Sequence, residues 1–266
     1  MRRSRVAAEG SDQLAEALGV SRGIVCTVGA GGKKSTLYRL AAELRGRVGL
    51  TTTTRTAVFP KTLEAHVVIA GDDAIASEVI EAASRHRVIA FAHPAPDTRA
   101  RVGGLTPEAI VDIHRRARFD VSLIKADGAR LRLIKAPAEG EPAIPREATL
   151  VIPIVSARAI GQPLSDEIAH RLDHLQAVTG ARPGERVTPE HVAALLADER
   201  GALKNVGAAR VVPIINMVDD AEREALAVAA AELALQLSDR FSRVLLCSML
   251  ASQPLVRIVD AANPRG

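Results

Sequence analysis

Aromatic side chains are nearly missing from this chain: Phe, Tyr and Trp make up 2% of 266 residues, with no Trp and a single Tyr. Proteins that hold single-stranded nucleic acid stack the bases on aromatic rings, so a nucleic-acid role is not expected. Cysteine is scarce as well. Cys26 and Cys247 lie in separate apolar runs, far apart in sequence, which offers neither a disulfide framework nor a CxxC metal site. A reducing compartment, the cytoplasm, is the expectation. No segment approaches the roughly 18 apolar residues of a membrane span, and the opening "MRRSRVAAEGSDQLAEALGV" has basic residues without an apolar stretch of signal length. A membrane partner is therefore not expected. Nor is charge of one sign gathered in a block: the formal net charge of +4 arises from acidic and basic residues interspersed along the chain.

What is present is aliphatic, with 47% hydrophobic residues in a chain long enough for one large α/β domain. Short β-branched runs recur: "GIVCTV" (23 to 28), "RVGLTT" (47 to 52), "HVVIA" (66 to 70), "RVIAFA" (87 to 92), "FDVSLIKA" (119 to 126), "TLVIPIV" (149 to 155), "RVVPIIN" (210 to 216) and "RVLLCSM" (243 to 249). Most are apolar throughout rather than alternating, the pattern of strands covered on both faces. Helices are expected between them at 33 to 45, 73 to 85, 106 to 117, 165 to 178, 188 to 197 and 219 to 239, several with Asp, Ser or Thr near the start. The fold class is α/β, a doubly wound, mostly parallel sheet in a single domain over 1 to 266, with an N-terminal helical extension at 1 to 20. Two proline-containing connections, 93 to 105 and 127 to 148, are longer than compaction needs and are expected to be functional loops.

The stretch "TVGAGGKKST", Thr27 to Thr36, places a glycine-rich turn between the first strand and its helix. Such a turn aims several backbone N–H groups and the positive end of the helix dipole at one point, where an anion binds. The strict GxxxxGK pattern would need a glycine at Thr27 and a hydroxyl at Lys34. A dinucleotide GxGxxG pattern would need a glycine at Lys34 and an acidic residue where "TTTTR" ends the second strand. The shorter spacing Gly29-x-x-Gly32-Lys33, with Ser35 and Thr36 behind it, still supplies loop, lysine and hydroxyls. Gly29, Ala30, Gly31 and Gly32 would cradle phosphate, Lys33 would neutralise its outer oxygens, and Lys34, Ser35 and Thr36 would complete the contacts. Asp127 ends the run "FDVSLIKA", where such proteins hold magnesium, with Ser35 as the displaced metal hydroxyl. Lys33 and Asp127 are thus the candidate catalytic pair, and Ser35 and Asp127 the candidate magnesium ligands. The plain alternative for Asp127 is a turn cap before Gly128.

Several stretches taken together, "GAGGKKSTLYRLA" (29 to 41), "LTTTTR" (50 to 55), "KADGARLRLIKAPAEGEPAIP" (125 to 145), "GQPL" with "AHR" (161 to 171) and "INMVD" (215 to 219), resemble the YqeC-like family of selenium-dependent molybdenum hydroxylase accessory proteins. The resemblance spans about residues 20 to 250. It implies a fold of P-loop NTPase type and a cytoplasmic, nucleoside-triphosphate-binding protein, with GTP or ATP and magnesium as ligands. It further implies a molybdenum hydroxylase or its cofactor as partner. This chain departs from the family in three places: Lys34 replaces the expected loop hydroxyl, Gly140 replaces a histidine, and Met217 replaces the lysine of Asn-Lys-x-Asp.

Asn216 and Asp219 follow a late strand, where GTP-binding proteins accept from the guanine ring, and "CSM" at 247 to 249 follows the next; GTP is favoured over ATP on this basis. A helix start at the same aspartates is the plain alternative. The threonines at 51 to 54 could serve phosphate or a simple turn. Asp166, His170 and His174 would share a helical face, for which solvated side chains, not zinc, are expected. Lys135, Glu139 and Glu141 could grip a second substrate or a partner enzyme. Three functions fit: a triphosphate-binding maturation factor with slow or partner-stimulated hydrolysis, a non-hydrolysing scaffold or cofactor-binding chaperone, and, ranked last, an ATP-dependent ligase of Mur type.

Overall fold

The computed structural model of the chain describes residues 13–262. Helix α1 (Gln13–Leu18) precedes β1 (Gly23–Gly29), and α2 (Lys33–Glu43) leads to β2 (Val48–Thr52) and the two-residue β3 (Thr56–Ala57). Then come β4 (His66–Ile69), α3 (Asp72–Ala83), β5 (Val88–Pro94), β6 (Arg101–Gly103), α4 (Pro107–Arg116) and β7 (Val121–Lys125). Strands β8 (Ile134–Lys135), β9 (Ala148–Ser156) and β10 (Ala169–His170) are followed by α5 (Leu172–Thr179) and α6 (Pro189–Ala197). The chain finishes with β11 (Arg210–Val211), β12 (Ile214–Asn216), α7 (Ala221–Leu237), β13 (Arg243–Cys247) and β14 (Leu255–Asp260).

The large sheet runs β14-β13-β12-β9-β1-β7-β2-β5-β6-β3, with β11 also paired to β9 and β4 to β5. From β13 to β5 every neighbouring pair is parallel. This is the doubly wound α/β sheet of P-loop NTPase type. Its strands read as continuous apolar runs because each is covered on both faces. Ile24, Cys26 and Val28 of β1 enter the core beneath α3 to α7, while Val25, with Leu150, Ile152 and Ile154 of β9, enters the core beneath α1 and α2. After β1 the chain crosses to β2 on one side, and β9 lies on the other. The carboxyl end of β1 is therefore a topological switch point, where open α/β sheets bind ligands.

Helix starts agree with local chemistry. Thr106 caps α4 by accepting from Ala109 N at 3.2 Å ahead of Pro107, and Thr188 and His191 form a capping box on α6. Asp220 caps α7, accepting from Arg223 N at 2.8 Å.

Two sequence expectations are corrected here, and one strand goes beyond them. The helix placed at 165 to 178 begins only at Leu172: Ala169 and His170 pair with β8, and Arg171 takes a left-handed φ of 69° that ends the strand and opens α5. Asp166, His170 and His174 therefore do not share a helical face. The run 210 to 216 divides into β11 and β12 at Pro213, which has no N–H for a ladder. Strand β14, antiparallel to β13, was not expected at all, because its edge position leaves Val256 and Ile258 exposed without a steady alternation. The long connections at 93 to 105 and 127 to 148 carry the short strands β6 and β8. Of the expected N-terminal helical extension, α1 is described and residues 1–12 lie outside the described residues. Among the described residues no helix is long and apolar enough to cross a membrane.

Phe91 on β5 is fully buried, its ring 6.1 Å from that of Phe119 and stacked on it. With so few aromatics, this pair fills volume that aliphatic neighbours cannot reach. Phe91→Ala should lower unfolding stability by about 3–5 kcal/mol, read from the urea midpoint at unchanged m-value.

Candidate functional site

The carboxyl ends of β1, β7, β9 and β12 meet at the glycine loop. Gly29 has φ 88°, and a Cβ there would collide with the Ile154 carbonyl of β9; Gly32 has φ 135°, and a Cβ there would collide with the Asn216 amide. Both positions need glycine on two counts, backbone angle and space. Ala30, buried, donates its N–H to Ile154 O at 2.8 Å. The first helix bond runs from Thr36 N to Gly32 O at 3.0 Å, so the N–H groups before it, from Gly31 to Ser35, are spare donors at the positive end of the α2 dipole.

Alone among the seven α-helices of the described residues, α2 has no acidic residue in its first turn. It carries Lys33 and Lys34 there instead, and no side chain caps it. Cations at a helix N-terminus oppose the dipole. The arrangement is stable only with negative charge beside it, and the fold supplies some through Asp127.

Asp127, 2% exposed, sits just beyond β7 and is held from three directions. Lys33 Nζ lies 3.0 Å from its Oδ1, Lys135 Nζ lies 2.8 Å from its Oδ2, and Gly29 N donates to the same Oδ2 at 2.9 Å. The Lys33 contact is close but misaligned, so Oδ1 is a buried oxygen with no hydrogen bond. Lys33 donates instead to Gly29 O. Lys135 Nζ also donates to Gly128 O at 2.5 Å and to Glu141 Oε2 at 2.5 Å, and Arg171 grips Glu141 with two bonds of 2.8 and 2.9 Å. Charge thus alternates along Lys33, Asp127, Lys135, Glu141 and Arg171. Burial pushes the Glu141 carboxyl up, but Arg171 and Lys135 outweigh it and hold the group at about 2. Burial pulls Lys33 below the ordinary lysine range in spite of Asp127. Burial, then the charge of Lys33, brings Lys125 down to about 7 while its Nζ donates to Asp127 O at 2.7 Å. Two lysines are therefore short of negative charge, and an anion on the loop would relieve both.

Other predicted residues fall as follows. Lys34 and Ser35 are half-buried on the first turn of α2, and Ser35 Oγ makes no hydrogen bond among the described residues. Thr36 is buried and its hydroxyl donates back to Gly32 O at 3.1 Å. Thr51 and Thr52 spend their hydroxyls on Phe91 O at 2.7 Å and Lys125 O at 3.0 Å, and the Thr53 hydroxyl is buried without a partner. Asn216, 2% exposed, donates from Nδ2 to Gly31 O at 2.7 Å and accepts at Oδ1 from Met249 N at 3.1 Å. It clamps the glycine loop to the segment after β13. Asp219 is brought beside that segment too: Ser248 Oγ donates to its Oδ1 at 2.7 Å, and Arg158 donates to its Oδ2 at 2.6 and 3.1 Å. Those two partners hold its carboxyl below the usual range, Ser248 more than Arg158. Met217, in the lysine position, takes a left-handed φ of 62° and its sulfur accepts from Ser156 Oγ at 3.0 Å. Lys135 and Glu141 lie inside the ionic chain, whereas Glu139 is exposed. His174 Nδ1 lies 3.0 Å from Pro137 O, which fixes that ring on the loop, and His170 is kept neutral, pulled to about 4 by burial and then by Arg171 and Lys135.

Lys125 and Arg171 were not singled out by sequence reasoning. A lysine inside the apolar run "FDVSLIKA" was a readable signal; Arg171 had none, since its role depends on the β8–β10 pairing.

The anion and the metal fare differently against these residues. Glycine positions closed to any Cβ, spare N–H groups and undercompensated lysines fit a phosphate. A divalent ion does not fit the donor set as folded: Asp127 faces an ammonium at each oxygen, and Lys34 occupies the hydroxyl position. The cavity behind the loop, lined by Gly29, Asp127, Lys135 and Leu195, holds about 20 Å³, room for about one water. Any larger ligand must sit on the outer side of the loop.

Asn216→Ala would leave Gly31 O and Met249 N without partners in a buried place. It should cost about 1–3 kcal/mol of stability, and amide exchange at Met249 should accelerate while that of the β5 core stays protected.

Compared with known proteins, residues 25–173 match the family described as YqeC protein. The "Uncharacterized protein YqeC" of Escherichia coli (strain K12) is 36% identical over 215 residues, covering 79% of this chain and 80% of that one.

Proposed function

Because this chain belongs to the YqeC family and joins its glycine loop to a buried ionic chain, we propose that it binds a nucleoside triphosphate and serves the maturation of selenium-dependent molybdenum hydroxylases. The observation that carries the binding reading is the start of α2: two lysines and spare N–H groups where every other described α-helix has an acid. Gly31, Gly32 and the N–H groups that open α2 cradle the phosphates, Gly29 and Ala30 shape the turn with their own N–H groups held by Asp127 and Ile154, and Lys33 leaves Asp127 to meet the outer phosphates. Asp219, at the end of β12 beside Ser248, supports guanine over adenine, since its carboxylate matches the ring's donors once Arg158 gives way. The maturation role is supported by the motif stretches shared with that family, above all the loop whose Lys135 and Glu141 lock onto Asp127 and Arg171. Hydrolysis by the chain alone is slow and rises with the partner hydroxylase, because no side chain other than lysine-bound Asp127 stands ready at the loop to organise an attacking water.

A second reading, a non-hydrolysing scaffold, is favoured by one observation: Asp127 is engaged by Lys33 and Lys135 together. Turnover measured with and without a molybdenum hydroxylase separates the two, since the scaffold shows none in either case.

Titration calorimetry of Lys33→Ala should show triphosphate affinity reduced by a hundredfold or more, on the order of a lost buried charge contact; unchanged affinity removes the assignment. Lys125 faces Lys33, Lys34, Lys135 and Asp127, and bound phosphate raises its pKa. Binding then takes up a proton above pH about 7, so affinity should fall as pH rises past that point, by at most about tenfold per unit. In Lys125→Met this slope should vanish.

A further inference from the structure

The position after the loop lysine is where a hydroxyl would hold a divalent ion, and here it is Lys34, on the first turn of α2. Its charge acts on Lys125, as do those of Lys33 and Lys135. Four lysines therefore act within one electrostatic neighbourhood whose carboxylates are Asp127 and Glu141, and Glu141 is already gripped by Arg171. The neighbourhood is short of negative charge before any ligand arrives.

Asp127 is the carboxylate that would have to carry a metal. Its Oδ1 lies 3.0 Å from Lys33 Nζ and its Oδ2 lies 2.8 Å from Lys135 Nζ and 2.9 Å from Gly29 N. Lys33 can leave for a phosphate, but Lys135 cannot follow: its side chain is fully enclosed and is fixed by Gly128 O and Glu141. A divalent ion at Asp127 would thus stand against a trapped ammonium, with the Lys34 charge added to the same neighbourhood. Of the hydroxyls nearby, Thr36 is spent on Gly32 O and Thr52 on Lys125 O, which leaves Ser35 and the buried Thr53, neutral oxygens that bring no negative charge to offset the lysines.

We propose that the loop takes its nucleoside triphosphate free of divalent metal, with the Lys34 ammonium supplying the positive charge that an ion would otherwise bring. This deepens the triphosphate reading and rests on it. A metal-bound nucleotide carries less negative charge than the free one, so magnesium competes with the lysines for the phosphates instead of assisting them. Without an ion to draw charge off the outer phosphate, turnover in the isolated chain would be slow.

The test is titration calorimetry of GTP and ATP into the full chain, once in EDTA and once in excess magnesium chloride. The inference expects affinity in EDTA equal to or tighter than in magnesium. It also expects that Lys34→Thr loses about tenfold to a hundredfold in EDTA and recovers part of this when magnesium is added. A wild-type chain that binds about tenfold or more tightly with magnesium overturns the inference and leaves the triphosphate reading standing. Unchanged EDTA affinity in Lys34→Thr, with a wild-type melting profile, overturns the role of Lys34. Binding in neither medium removes the triphosphate reading and the inference with it. The wild-type comparison needs no variant, so a misfolded substitution cannot leave the question open.

Discussion

A buried carboxylate has to be compensated, and Asp127, at 2% exposure, draws its compensation from the glycine loop with the start of α2 and from the connection that follows it. Moving an isolated ion into a protein interior costs several kcal/mol even after relaxation, and attraction repays this only when geometry and hydrogen bonds are good. Gly29 N can donate to Asp127 only with the turn at φ 88°, which needs a residue without a side chain. Lys33 reaches it only because the helix begins at once after Gly32. Lys135 reaches it only because the loop from 127 to 148 doubles back, with Ala143 N donating to Ala126 O at 3.2 Å and β8 pairing with β10. The same pairing presents Arg171 to Glu141. One carboxylate thus fixes the glycine loop, the start of α2 and the long proline-containing connection as a unit.

The parts of this plan visible in the sequence are those set by short-range chemistry. Strands covered on both faces show as unbroken apolar runs whatever their partners, and Thr106 with Pro107, or Asp220, mark helix starts by local hydrogen bonding. The glycine loop was legible for the same reason: its backbone angles are properties of single residues. Arg171, by contrast, gains its meaning from a two-residue parallel pairing between Ile134–Lys135 and Ala169–His170, about 35 positions apart in sequence. No local pattern encodes such a pairing, and the periodicity at 165 to 178 pointed to a helix instead. Strand β14 was hidden differently. At the sheet edge, one face of its residues is solvated, so the apolar signal weakens to that of a loop.

Asn216 and Asp219 show how adjacency can be read while roles are not. Sequence spacing places both at the end of a late strand near the segment after the next one, and the fold brings all three together. Yet Asn216 is spent on main-chain atoms, Gly31 O on one side and Met249 N on the other, at 2% exposure. Its function is to make the glycine loop and the segment after β13 move as one. Asp219 keeps a carboxylate at the surface, shared by Arg158 and Ser248, so it is the member of the pair with an exchangeable partner.

Exchange is also the sense of giving one carboxylate two lysines. Breaking a buried ion pair by removing one partner typically costs about 3–5 kcal/mol, because the survivor is left uncompensated. If Lys33 were the sole partner of Asp127, a phosphate recruiting it would have to overcome that penalty before any binding registered. Lys135 changes the balance: it remains 2.8 Å from Oδ2 whatever Lys33 does, and Gly29 N stays with it. Asp127 Oδ1, which lacks a true hydrogen bond even while Lys33 is near, loses little when the ammonium departs. The lysine is thus parked against a charge that does not need it, and burial has already made its positive state expensive. Both conditions would lower the cost of transferring it to an anion, and Lys135, held by Gly128 O and Glu141, would keep Asp127 compensated.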